Sequence, residues 1–202
     1  MKFELVKGDL LQQKVEVIVV SANNDLILGG GLSGVIRRTA GKAILEECEK
    51  IGTVPLGAAA VTGAGELPFK HVFHAAVKPI GLFADARSIR SAIQQCFREA
   101  AKRKIQSIGF PVVGSGGGSY PIEKATQILI EEALRAAREP GAPERVVLAV
   151  AEDKAMEAVE PVVRQKVPAE MLVTTVPPTA PAAPPPGPTA SPPPPSPPPA
   201  GG

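Results

Sequence analysis

Apolar positions in this chain follow two rhythms in turn, a short β-branched run and a helical stripe, along most of its length. The stretch Val15–Gly41 sets the pattern. Val15–Ser21 is a short apolar run of the kind that forms an interior strand. A polar pair, Asn23-Asn24, follows, then the triple glycine Gly29-Gly30-Gly31, and then Leu32, Val35 and Ile36. The spacing of those three predicts one face of a helix from about Leu32 to Thr39. Glycines directly before a helix let the backbone approach a ligand without Cβ obstruction. The first turn of a helix leaves N–H groups unpaired, and its dipole favours negative charge. The unit therefore predicts an anion seat, suited to phosphate. The alternative is a flexible turn, because three glycines alone make a common motif. Gly29-x-Gly31-x-x-Gly34 also satisfies the dinucleotide pattern, but that pattern needs its glycines immediately after the strand, and Ala22 to Leu28 intervene. The separation argues against a Rossmann turn.

The same alternation runs on either side. MKFELVKGDL alternates like an edge-type strand and ends in a Gly8-Asp9 turn. Lys42–Lys50 predicts a second helix, Ala58–Thr62 and His71–Ala76 predict strands, and Ser88 caps a helix from Ile89 to about Arg103. The strand Ser107–Val113 then enters a second glycine loop, Gly114-Ser115-Gly116-Gly117-Gly118-Ser119. Pro121 opens a helix to about Arg138, Arg145–Val150 reads as a buried strand, and Asp153–Lys166 as a closing helix interrupted by Pro161. This order implies an α/β fold, a three-layer α/β/α sandwich on a mixed, largely parallel sheet. Ligands of such sheets bind at the carboxyl ends of the strands, where both glycine loops leave, so the loops are expected to converge on one cleft. Two loops of backbone N–H groups suit a diphosphate. A hydrogen bond to a charged oxygen contributes roughly 1.5–3 kcal/mol, so a handful hold a diphosphate without a lysine clamp. The second loop lacks the Lys-[Ser/Thr] ending of a Walker A motif.

Composition divides the 202 residues into a domain at 1–167 and a tail at 168–202 that holds 15 of the 23 prolines. The tail carries one charged residue, Glu170, and no aromatic, so disorder is expected, with polyproline II character in Pro192–Pro199. Within it, Glu170–Val176 alone has the composition of a short strand. The tail reads as a spacer, or as a weak motif for SH3-like or WW-like partners. Charge is nearly balanced, with 22 basic and 20 acidic side chains and no basic run, which speaks against nucleic acid. Cys48 and Cys96 lack metal-ligand spacing and read as reduced thiols. His71 and His74 have no third candidate ligand nearby; His74 reads as a core histidine, and no metal or cofactor is called for. No leader and no run of transmembrane length stands out, so no membrane is expected and the location expected is cytoplasmic.

Several motifs, in order, resemble one family. Gly8-Asp9-Leu10, Val20-Ser21-Ala22-Asn23 with Gly29-Gly30-Gly31 following, His71-Val72-Phe73-His74-Ala75 and Pro111-Val112-Val113-Gly114-Ser115-Gly116-Gly117-Gly118-Ser119-Tyr120-Pro121 are similar to the motifs of macrodomains, binders of ADP-ribose. The similarity covers about Phe3 to Arg164. It implies that Asp9 accepts the adenine amine beside the Leu10 amide, and that Asn23 bonds the distal ribose. It implies one diphosphate wall at Gly30, Gly31 and Leu32 and the other at Ser115, Gly116, Gly117 and Gly118, with Gly29, Ser33, Ser119, Tyr120 and Ala151 also among the ligand-binding residues. The sequence departs from the family pattern in four places. Val20 replaces the first asparagine of the N-A-A-N motif, Gly118 stands where many members place an aromatic, and Ala151 takes the approximate place of an adenine-stacking aromatic. Ser33 stands where MacroD-type hydrolases carry an aspartate.

Two functions of different class follow. One is a binding module for ADP-ribose, free or on an ADP-ribosylated protein. The other is a hydrolase that removes ADP-ribose from acidic side chains or deacetylates O-acetyl-ADP-ribose, with Asn23 as its catalytic candidate. Water attack needs an activating group within hydrogen-bond reach. Ser33 is no base by itself and Asn23 can only position a water, so binding comes first.

Overall fold

The computed structural model describes residues 1–173. Residues 174–202, which hold most of the expected disordered tail, lie outside the described residues. The strands are β1 (Lys2–Lys7), β2 (Val17–Asn23), β3 (Ala59–Gly63), β4 (His71–Lys78), β5 (Ser107–Phe110), β6 (Arg145–Val150) and β7 (Leu172–Val173). The helices are α1 (Gly31–Thr39), α2 (Lys42–Ile51), α3 (Ala86–Lys102), α4 (Ile122–Ala136) and α5 (Asp153–Lys166). Together the strands form one sheet in the order β3-β4-β2-β5-β6-β1-β7. Only β3 runs antiparallel to its neighbour among the described strands, which gives the mixed, largely parallel sheet expected.

The period-2 alternation of β2 builds the three layers. Val17 and Val19 pack to one side with Ile89, Ile93 and Leu129 of α3 and α4. Ile18 and Val20 pack to the other with Ile36 and Ile44 of α1 and α2. Both faces are covered, which is why β2 reads as an unbroken apolar run. His74 is fully buried in β4, the core position expected of it. No described helix is long and apolar enough to cross a membrane.

Local differences from the sequence reading have identifiable causes. β1 is not an edge strand, because β6 flanks it on one side and Leu172–Val173 pairs with it on the other. The described sheet thus takes in residues beyond 167. The cap of α3 is Asp85 and not Ser88. The Asp85 carboxylate accepts from the Ser88 N–H at 2.9 Å and from the Ser88 hydroxyl at 2.8 Å, which puts Ser88 inside the first turn. These bonds hold the Asp85 carboxyl below the ordinary carboxylate range. β5 stops at Phe110, before Pro111, which has no N–H to give a ladder.

Connectivity places the site. From β2 the chain crosses to α1 on one face of the sheet, and from the adjacent β5 it crosses to α4 on the opposite face. Neighbouring strands whose connections part to opposite faces leave a crevice at their carboxyl ends.

Candidate functional site

The crevice is a cleft of about 720 Å³, within the range of small-molecule sites. It is lined from the carboxyl ends of β1, β2, β4 and β6 and by both glycine loops. Of the residues singled out from sequence, the fold brings together Asp9, Leu10, Asn23, Gly29, Gly30, Gly31, Leu32, Ser33, Ser115, Gly116, Gly117, Gly118 and Ala151. It does not bring Ser119 or Tyr120 to the lining. Ser119 takes a left-handed conformation (φ 51°) as the chain turns away. Tyr120 packs against the core beneath.

The first loop ends at Gly30, the cap residue of α1, where no side chain among the described residues caps the helix. Gly34 is the first residue of this segment whose N–H bonds back, to the Gly30 carbonyl at 3.2 Å. The N–H groups of Gly31, Leu32 and Ser33 have no acceptor among the described residues. In the second loop, Gly114 N–H is tied to the Ser21 hydroxyl at 3.0 Å and Ser115 N–H to the Val112 carbonyl at 3.2 Å. The Ser119 and Tyr120 N–H groups bond back to Gly116 and Gly114. The N–H groups of Gly116, Gly117 and Gly118 are left without an acceptor among the described residues. Two sets of three free donors therefore line one cleft.

Gly118 shows why the loop departs from the family pattern. A Cβ there would lie 2.5 Å from the Gly114 carbonyl oxygen and 2.9 Å from the Ala84 Cβ, and the Gly118 carbonyl accepts from Ala84 N–H at 2.9 Å. An aromatic at this position has no room. Among the described residues no aromatic lines the cleft at all. The Asp9 end is walled by Leu10, Val150, Ala151 and Ala155.

The polar side chains are partly committed. One Asp9 carboxylate oxygen accepts from Leu11 N–H at 2.9 Å and caps the short 3-10 turn Leu10–Gln12, while the other has no protein partner among the described residues. The Asn23 carbonyl oxygen accepts from the N–H groups of Asp25 (3.0 Å) and Ile27 (3.2 Å), and its NH2 donates to the Ile27 carbonyl (2.7 Å). Only one Asn23 N–H is left free among the described residues, so this residue first shapes the turn at 23–27. Ser33 is buried, and its hydroxyl donates to the Ser21 carbonyl at 2.9 Å. Sequence reasoning missed Ser21 as a site residue, although it ties β2 to both loops. It also missed Lys78, Ile27 and Ile80 on the lining.

Residues 19–129 match the Macro domain family model. The chain is 38% identical over 136 residues to a macro domain-containing protein of Caldanaerobacter subterraneus subsp. tengcongensis, covering 64% of this chain and 77% of that one. It is 32% identical over 172 residues to an O-acetyl-ADP-ribose deacetylase of Enterobacter cloacae subsp. cloacae, covering 82% of this chain and 95% of that protein. Its fold is similar to that of a Trypanosoma brucei macrodomain solved in complex with ADP-ribose, with a TM-score of 0.71 and 28% identity over 79% of this chain and 68% of that one. A switch-point cleft between two glycine loops and a family match over more than half the sequence lead to one assignment: the chain belongs to the Macro domain family.

Proposed function

We propose that this chain binds ADP-ribose, free or carried as a mono-ADP-ribosyl group on a protein, with the diphosphate between the two glycine loops. The observation that carries the reading is the pair of free N–H triplets, all on residues that line one cleft. Each bond to a charged oxygen contributes roughly 1.5–3 kcal/mol, and an apolar-walled cleft weakens competition from water. The ADP-ribose in the Trypanosoma brucei macrodomain supports the choice of ligand. Adenine lies at the Asp9 end, with its amine on the free carboxylate oxygen, and packs on aliphatic side chains. Isothermal titration with ADP-ribose, and with ADP and AMP for comparison, tests the reading directly; absence of binding to ADP-ribose overturns it.

Asp9→Ala is expected to weaken ADP-ribose binding about tenfold, the loss of one charge-assisted hydrogen bond. The same change removes the cap on Leu11 and lowers stability by about 1 kcal/mol. Inosine diphosphate ribose, which lacks the amine, separates the two effects. Its affinity should be the same for wild type and variant, and an equal loss on both ligands would remove Asp9 from the adenine contact.

Hydrolysis of ADP-ribosyl esters is the second reading, supported by the Enterobacter relative, an O-acetyl-ADP-ribose deacetylase. The cleft's carboxylates, Asp9 and Glu152, come from the β1 and β6 side, away from Asn23 at the end of β2. Ser33 already donates its proton to Ser21. A water held by the free Asn23 N–H would have to be activated by the substrate's own phosphate, which makes turnover slow. Release of ADP-ribose from a glutamate-linked peptide, wild type against Ser33→Asp, decides the point. No release by the wild type retires the hydrolase.

A further inference from the structure

We propose that Lys78 is a ligand-binding residue of the cleft: its ammonium exchanges the Gly117 carbonyl for an oxygen of the ligand's distal phosphate and so selects nucleoside diphosphate ligands over monophosphates. The inference rests on the ADP-ribose reading of the cleft.

Three features of the molecule converge on this lysine. The first is register. The β2–β4 ladder runs evenly from Val17↔His71 to Ala22↔Ala76 and then skips to Asn23↔Lys78. Val77 is the extra residue, a bulge in β4, and its side chain stays buried in the core. A bulge re-aims the side chains that follow it. Here it sets Lys78 opposite Asn23 at the carboxyl end of the sheet.

The second feature is reach. Lys78 Nζ donates to the Gly117 carbonyl oxygen at 2.6 Å, spanning the cleft from β4 to the second glycine loop. Gly117 belongs to the triplet of free N–H donors, so the ammonium stands beside the seat that those donors form. An ammonium has three protons, and Gly117 takes one.

The third feature is charge. Lys78 is the only cationic side chain lining the cleft among the described residues, and the acidic ones are Asp9 and Glu152. No carboxylate lies within ion-pairing distance of Lys78 among the described residues. A diphosphate brings two negative charges to a lining whose side chains are net acidic. The backbone donors are neutral, so among the described residues Lys78 is the one lining side chain able to offset that charge. A neutral carbonyl is a weaker partner for an ammonium than a phosphate oxygen, and the exchange is favourable on ligand entry.

Titrations of ADP-ribose, ADP and AMP into wild type, Lys78→Met, Lys78→Gln and Lys78→Arg test the proposal, with a thermal melt of each protein. Lys78→Met and Lys78→Gln are expected to weaken ADP-ribose and ADP at least about tenfold and AMP less than about threefold. Lys78→Arg, which keeps the charge, should stay within about threefold of wild type on all three. Three results overturn the proposal. One is ADP-ribose affinity unchanged in both neutral variants. Another is an equal loss on AMP and ADP-ribose, which would mean that untying Gly117 had merely disordered the loop. The third is a loss in Lys78→Arg as large as in Lys78→Met. Failure of the wild type itself to bind ADP-ribose is a separate result, and it removes the proposed function along with this inference.

Discussion

Gly31→Glu is expected to weaken ADP-ribose binding by more than about 100-fold while leaving the protein folded. Gly31 is the first residue of α1, lines the cleft and has φ +56°, a left-handed conformation. Any L side chain there costs about 1–2 kcal/mol in backbone strain. Space is not the obstacle, since a Cβ at Gly31 meets no atom of the described residues within 4 Å. Charge is. A carboxylate at this helix end competes for the free N–H groups of Gly31, Leu32 and Ser33. It also sits roughly 5 Å from a diphosphate, where repulsion at an effective dielectric of about 20 comes to about 3 kcal/mol per charge. That figure alone is about two orders of magnitude in affinity. Gly31→Ala isolates the strain and should bind ADP-ribose within a few-fold of wild type. Calorimetry on both variants checks the pair. Gly31→Glu binding as tightly as Gly31→Ala would move the diphosphate away from α1.

Much of this arrangement is legible from residue order because it depends on local chemistry. The run Val15–Ser21 is apolar at every position but Glu16 and Ser21, and a strand covered on both faces needs that composition. The two glycine loops announce themselves, since a backbone that offers its N–H groups to a ligand tends to dispense with side chains. What is not legible depends on pairing between distant segments. The bulge at Val77 exists only because β4 is paired with β2, and nothing in HVFHAAVK marks it. Lys78 therefore lay just beyond the expected strand His71–Ala76, and the loops looked sufficient without a lysine. Asn23 shows the opposite case. Its place in the motif implied a ribose contact, but its side chain closes the turn to Ile27, leaving one N–H to spare. Gly118 looked like a missing aromatic. The packing against Gly114 and Ala84 makes it a required glycine.

Acid is expected to weaken the fold in a window set by one residue of the same strand. His74 is fully buried, and burial pushes its pKa down from 6.5 to about 4. Its Nε2 meets the Thr62 hydroxyl at 2.9 Å and lies 4.0 Å from Cys48 Sγ, while Nδ1 has no partner among the described residues. Burial pushes the Cys48 thiol up to about 11, so it stays neutral and offers no counter-charge to an imidazolium. The unfolded chain takes up the proton near pH 6.5 and the folded chain only near pH 4, so the unfolded state binds more protons between those values. The stabilisation is complete above pH 6.5 and is lost progressively as pH falls towards 4. At 1.36 kcal/mol per unit, about 2 kcal/mol should disappear between pH 7 and pH 5. Depressed carboxylates such as Glu16 and Asp85 act below their ordinary values of 4.5 and 3.8, outside that interval. Urea titrations at pH 7 and pH 5 measure the loss, and His74→Gln, although less stable throughout, should show almost none of it. A wild type equally stable at both values would mean that the imidazole finds its proton without unfolding β4. Because ADP-ribose binds the folded state alone, it should also protect the fold across this window, and the protection should shrink in Lys78→Met.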